Sequence, residues 1–161
     1  MIGRAVRPFP PRALIVDDGL AKLDTSLGRA TEGVARALEE RDAEVVRALS
    51  FEDGQAIVSS DASLQAVLLN WDLGGDVAGG HAQAAALLEK LRERHANVPV
   101  FLLAERTGAT RTITIEVAEL VDEFVWLLAD TSDFVAGRVL AAMERYRAAL
   151  LPPYARALAQ Y

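Results

Sequence analysis

Val67-Leu68-Leu69-Asn70-Trp71-Asp72-Leu73-Gly74 is the stretch that decides the fold. An unbroken apolar run that stops at a polar, glycine-bearing loop reads as a strand buried on both faces. Upstream, Ala13-Leu14-Ile15-Val16 runs into Asp17-Asp18-Gly19 in the same way. Working outward, strands are predicted at 13–16, 43–49, 64–69, 98–103 and 121–127. Between them the apolar spacing turns helical. Leu27, Ala30, Val34, Ala37 and Leu38 predict a helix over 25–41, and Ala84, Leu87, Leu88 and Leu91 one over 81–95. Ser50 is a good N-cap, with Asp53 three residues on, opening a helix to 59. The helix expected over 108–118 is the weakest, because Thr112, Ile113, Thr114 and Ile115 are β-branched. Asp130 or Thr131 caps a last helix to about 151, with Val135, Val139, Met143, Tyr146 and Leu150 inward. Five strand–helix units of this kind predict an α/β domain: a doubly wound parallel five-stranded sheet of order 2-1-3-4-5.

The bulk properties agree with one ordinary domain. The chain has 161 residues, of which 52% are hydrophobic, enough for a core and too many for a disordered chain. No apolar run approaches the roughly 20 residues that span a bilayer, and the first residues lack a signal-peptide core. There are no cysteines, which excludes disulfides and thiolate chemistry and fits a cytoplasmic protein. A net charge of -6 disfavours nonspecific binding to nucleic acid. Residues 1–11, with Arg4, Arg7, Pro8, Pro10 and Pro11, read as a flexible N-terminal arm, 12–151 as the folded domain, and 152–161 as the start of a linker helix.

In an open parallel sheet, sites form beyond the C-terminal strand ends. Asp17 and Asp18 stand there, with Asn70 and Asp72 on the neighbouring strand's loop. Asp17, Asp18 and Asp72 are weak candidates for a Mg2+ site; the competing reading is that they are solvated or cap local backbone. Trp71 is the best contact residue at this end, with core packing as its competitor. The two histidines flank one helix, His81 at its start and His95 at its end, where a cation is mildly favoured. Neither a nucleophile elbow, a phosphate-binding loop with its Lys-Ser or Lys-Thr, nor a dinucleotide fingerprint is present.

This layout resembles the receiver (CheY-like) family, a flavodoxin-like fold. A receiver carries an Asp where this chain has Asn70, a Thr or Ser after strand four where it has Ala104, and a Lys at the end of strand five where it has Leu127. Only the acidic pair survives. An amide cannot form an acyl phosphate, and the hydroxyl donor and counter-cation are lost with it. The resemblance therefore implies a receiver scaffold without its phosphorylation site.

The tail, Leu150-Leu151-Pro152-Pro153-Tyr154-Ala155-Arg156-Ala157-Leu158-Ala159-Gln160-Tyr161, exceeds a minimal receiver. Pro152 and Pro153 stop the preceding helix and can open another. Tyr154, Leu158 and Tyr161 then fall at i, i+4 and i+7, an apolar stripe that needs a partner: a following domain, another subunit or, as the competing reading, the domain itself. Pro152, Pro153, Tyr154, Leu158 and Tyr161 are the interface candidates, with Trp71.

With Asn97 to Leu103, Glu119 to Phe124, Asp130-Thr131, Ala136-Gly137-Arg138, Ser50 to Gly54 and Leu150 to Pro153, the chain resembles the N-terminal wing domain of the bacterial arginine, lysine and ornithine decarboxylases, most of all the acid-inducible arginine enzymes. That resemblance implies a pyridoxal-phosphate-dependent parent enzyme, a non-catalytic wing that serves subunit assembly in dimers or decamers, and partners in the parent's remaining domains. It implies no catalytic residue and no cofactor here: the only lysines, Lys22 and Lys90, lack the family's cofactor-lysine setting. The chain is expected to be an excised or truncated piece of such an enzyme. Acidic wing surfaces are expected to make assembly pH-sensitive. The competing function is a freestanding pseudo-receiver that binds a protein partner without phosphate.

Overall fold

A strand buried on both faces must find backbone partners on both sides, and the stretch that ends at Asn70 does. The computed structural model describes residues 10–75, 81–106 and 112–151. It contains β1 (Arg12–Val16), a short 3-10 turn (Asp18–Ala21), α1 (Ser26–Glu40), β2 (Glu44–Ala48), α2 (Phe51–Ser60), β3 (Ala66–Asn70), α3 (Ala82–Arg94), β4 (Val100–Ala104), α4 (Ile115–Glu119), β5 (Glu123–Trp126) and α5 (Ser132–Ala149). The sheet is parallel, in the order β2-β1-β3-β4-β5. Ile15 pairs with Leu68, and Leu68 with Phe101.

Alternation along each strand splits the core in two. Ile15, Leu68, Phe101 and Val125 pack against Val34 and Leu38 of α1 and Val135, Val139 and Met143 of α5. Leu14, Val67, Leu69 and Leu102 pack against Val58 of α2 and Leu87, Leu88 and Leu91 of α3. On this second face α2 crosses close to β1: a Cβ on Gly54 would stand 2.8 Å from a methyl of Val16.

The helix starts follow their capping residues. Thr25, Ser50, Thr114 and Thr131 each accept a backbone N–H three residues on. Ion pairs lace the surface between elements. Arg47 of β2 reaches Glu32 and Glu39 of α1 at 2.9–3.0 Å. Arg92 of α3 binds Asp122 and the carbonyls of Leu120 and Val98.

Several boundaries differ from expectation. Asn70 is the last residue of β3 rather than a loop residue, because its backbone pairs with Leu103. Of the helix expected over 108–118, residues 108–111 lie outside the described residues; the described part is the short α4, which Thr114 caps, with Ile115 inside it and Thr112 and Ile113 before it. Thr131, not Asp130, is the cap of α5; Asp130 instead accepts from the Trp126 N–H. Leu150, expected to face inward, lies at the helix terminus and is 66% exposed.

Candidate functional site

The C-terminal ends of β1 and β3 bring Asp17 and Asn70 together. Asp17 follows β1, is 1% exposed, and caps the 3-10 turn by accepting the Gly19 N–H at 2.7 Å. Its other oxygen accepts from the Thr31 hydroxyl of α1 at 2.6 Å. The Asn70 side chain also hydrogen-bonds it. Burial pushes the Asp17 carboxyl above its usual range; the hydrogen bonds from Thr31, Asn70 and Gly19 oppose this, and the nearby Asp18 charge adds to it. A buried carboxylate without donors would be costly, and this one has three.

The same end of β3 is locked in two further ways. Asn70 Oδ1 accepts the Asp72 N–H at 2.8 Å, an Asx turn that starts the loop. Asp18 accepts the Gly74 N–H at 3.1 Å, tying the β1 loop to the β3 loop. Gly74 and Gly75 both have positive φ, the conformation that residues with a Cβ avoid.

Asp17, Asp18, Asn70, Asp72, Glu105 and Leu127 line a cavity of about 210 Å3, with Lys22 at its edge. The three acids proposed as cation ligands thus share one cavity. Asp17 and Asp18 already accept hydrogen bonds from protein donors, and Asp72 lies within 3.3 Å of His81 Nδ1. Among the described residues no group of three or more His, Cys, Asp or Glu is arranged to hold a metal ion.

The residues that would carry phosphoryl chemistry stand at the matching strand ends as Asn70, Ala104 and Leu127. Ala104 ends β4 and Leu127 follows β5, both buried. They offer an amide, a methyl and an isobutyl group to the cavity end of the sheet. None can be a phosphoryl acceptor, a hydroxyl donor or a counter-cation.

Trp71 is 3% exposed. Its indole N–H donates to the Thr112 hydroxyl at 2.9 Å, and its ring stacks on His81. The structure therefore puts it in the interior, and in this chain it presents no free aromatic face. His81 Nδ1–H donates to the Trp71 carbonyl at 2.9 Å, which fixes the tautomer. His95, at the other end of α3, meets the Val58 carbonyl. The remaining interface candidates, Pro152, Pro153, Tyr154, Leu158 and Tyr161, lie outside the described residues.

The lysines do not suit a pyridoxal phosphate site. Lys22 borders a cavity walled by Asp17, Asp18, Asp72 and Glu105, which repels a phosphate. Lys90 lies on the opposite end of the domain, in the last turns of α3.

Sequence reasoning missed the role of Asn70 as a donor to Asp17. The only signal was the joint presence of Asp at the end of one strand and Asn at the end of its neighbour. It also missed the exposed apolar side chains Leu128 and Phe134 around the end of β5. Leu128 has φ of 70°, a conformation costly for leucine, and Arg138 lies over the Phe134 ring.

Comparison with known proteins fits this geometry. A receiver domain of a Clostridium thermocellum response regulator superposes with a TM-score of 0.63 at 17% identity, covering 85% of this chain and 97% of that one; the likeness is one of fold. Lysine decarboxylase A from Pseudomonas aeruginosa superposes with a TM-score of 0.74 at 25% identity over 94% of this chain and 20% of that one. The biodegradative arginine decarboxylase of Escherichia coli (strain K12) is 42% identical over 150 residues, 93% of this chain and 20% of the enzyme. The chain thus spans about one fifth of the length of these decarboxylases. The family model described as "Orn/Lys/Arg decarboxylase, N-terminal domain" matches residues 27–146. A receiver-like sheet with amide, methyl and isobutyl groups where phosphoryl chemistry would sit, and this likeness along most of its length, place the chain in the N-terminal domain family of the ornithine, lysine and arginine decarboxylases.

Proposed function

We propose that this chain is the non-catalytic N-terminal domain of a pyridoxal-phosphate-dependent basic amino-acid decarboxylase and that its work is subunit assembly. The observation that carries this reading is the pairing of a chemically disarmed strand end with exposed apolar surface. Asn70, Ala104 and Leu127 have no phosphoryl chemistry to offer, while Ile115, Leu128 and Phe134 are each more than half exposed. Apolar side chains held out in water by a folded backbone favour burial against a neighbour.

Under this reading the cofactor and the catalytic lysine belong to the parent enzyme's other domains. Pro152, Pro153, Tyr154, Leu158 and Tyr161 are the proposed junction to them. Homo-oligomerisation of the parent, as a dimer or decamer, would draw on the surface around Leu128 and Phe134. The acidic balance of the domain supports a pH-dependent assembly, because protonating carboxylates lowers the repulsion between copies. Arginine, lysine and ornithine all remain candidate substrates of the parent.

The test uses the natural full-length gene product. Sedimentation at acid and neutral pH is compared for the intact protein and for a form lacking residues 1–151. Loss of the larger assembly with decarboxylase activity retained is the expected result. Unchanged assembly without the domain sinks the proposal. A gene product that ends near residue 161 favours the freestanding pseudo-receiver instead.

A further inference from the structure

Leu128 carries two costs that the fold does not require. It follows β5 with φ of 70°, a conformation that glycine takes freely and a residue with a Cβ avoids. The turn around it holds that conformation. The Ala129 and Asp130 N–H groups both donate to the Trp126 carbonyl, and the Asp130 carboxylate accepts the Trp126 N–H at 2.9 Å. The leucine side chain on this turn is 60% exposed, so most of its apolar surface gains nothing from burial within the domain. Glycine here would lower both costs. Backbone strain at an apolar side chain left in water marks a site of contact.

Phe134, in the first turn of α5, adds a second apolar group beside the same β5–α5 connection and is 55% exposed. The charges around this pair are unequal. Towards α5 they are closed into ion pairs. Arg138 lies 5.3 Å from the Phe134 ring centre and binds Glu123 at 2.7 Å, and Arg41 meets Asp133 at 3.1 Å. Towards the middle of the sheet they are not balanced. Leu127, the neighbour of Leu128, shares its cavity with Asp18, Asp72 and Glu105, and Lys22 is the cation among those lining residues. The surplus charge beside the apolar pair is therefore negative.

We infer that Leu128 and Phe134 anchor the domain on a neighbouring subunit of the parent, in an apolar pocket edged with Arg or Lys side chains. This names the partner for the assembly reading above and rests on it. The 18 residues of α5, about 27 Å of helix, carry the chain away from Phe134 to Leu150 at the other end, which favours another subunit over the domain that follows in the same one. The same patch on a second copy is a poorer fit. A two-fold contact would set the surplus acid against acid or against closed ion pairs, and neither supplies a cation. Against a basic edge the carboxylates attract. Acid then weakens this contact while it relieves the general repulsion set up by the net charge of -6, so the two effects oppose each other.

The test starts with the chain itself. Leu128→Gly is expected to unfold in urea at the wild-type midpoint or above it. A lower midpoint overturns the inference, because the side chain would then serve the fold. The natural full-length gene product is next followed by sedimentation at neutral pH. Leu128→Gly and Phe134→Ser are each expected to raise the dissociation constant of the larger assembly at least about tenfold. Glu105→Gln is expected to raise it less and to flatten its dependence on salt. Wild-type affinity in both Leu128→Gly and Phe134→Ser overturns the inference and leaves the assembly reading standing. That reading fails instead if the form lacking residues 1–151 assembles unchanged. Unaltered salt dependence in Glu105→Gln overturns the basic partner. Tighter assembly in the same variant overturns it too, in favour of a second copy facing the same patch.

Discussion

The imidazole of His81 lies flat against the indole of Trp71, ring centroids 4.4 Å apart and planes within 8° of each other. The pair joins the β3 loop to the start of α3, and the backbone makes the joint unusual. His81 is the residue that precedes α3 and has φ of 67°. A non-glycine side chain in that conformation costs about 1 kcal/mol, which the ring contacts must offset.

Removing Trp71 should cost much more than removing its partner. Trp71→Ala is expected to destabilise the domain by about 3–5 kcal/mol, a large aromatic lost from a buried position. His81→Ala keeps the strained φ and loses the stack, whereas His81→Gly relieves the strain. Chemical denaturation should therefore rank His81→Gly above His81→Ala. The reverse order would show that the left-handed backbone at 81 is not a source of strain.

Asp17 sets a pH dependence whose sign is opposite to that of most carboxylates. Its folded-state affinity for a proton is raised above the unfolded value, chiefly by burial. The contribution to stability is thus fully present below the unfolded value, near the usual 3.9 of an aspartate, and is lost as pH rises through the folded value. Asp17→Asn removes this titration. Thermal melts across the acid-to-neutral range should show the variant gaining on the wild type as pH rises.

Asn70→Asp places a third carboxyl beside Asp17 and Asp18 and removes the amide that hydrogen-bonds Asp17. A loss of about 1–3 kcal/mol is expected at neutral pH, shrinking under acid as the carboxyls protonate. The variant still lacks the hydroxyl at 104 and the cation at 127. Acetyl phosphate with Mg2+ should leave the intact mass of the wild type unchanged, and a phosphate adduct on it would contradict the whole reading of this strand end.

Arg47 works in the opposite pH direction. It holds the Glu32 carboxyl below its usual range, and likewise Glu39. Stability from this pairing is present above the unfolded glutamate value and lost as pH falls through the folded one. Arg47→Gln is expected to cost about 1 kcal/mol at neutral pH, since the site is only partly buried, and almost nothing in acid. Urea titrations at two pH values separate the cases.

The parts of the molecule that were legible in the sequence are those set by short-range pattern. Leu14, Leu68 and Phe101 sit in uninterrupted apolar runs, and each became a central buried strand. Ser50 announced a helix start by its capping chemistry, and Thr131 was one of two residues that did so for α5. The illegible parts depend on partners distant in sequence. Asn70 meets Asp17, which Thr31 also binds, only once β1, β3 and α1 are assembled, so its part in a buried polar network was invisible. Leu150 continued the inward spacing of α5, but the helix outruns the sheet and the side chain is left in solvent. The β-branched run before α4 weakened the expected helix without revealing that Thr114 would begin it.

The hydrogen bonds that Asp17 accepts from Thr31 and Asn70 have a mechanical consequence. A signalling scaffold needs two arrangements close in energy, so that a modest input can tip one into the other. Here the strand end that would be the pivot is tied through Asp17 to Gly19, Thr31 and Asn70, which favours one arrangement. A domain held in this way has little room to switch. It would pass a push from a neighbour through as a rigid lever, with no second position in which to rest.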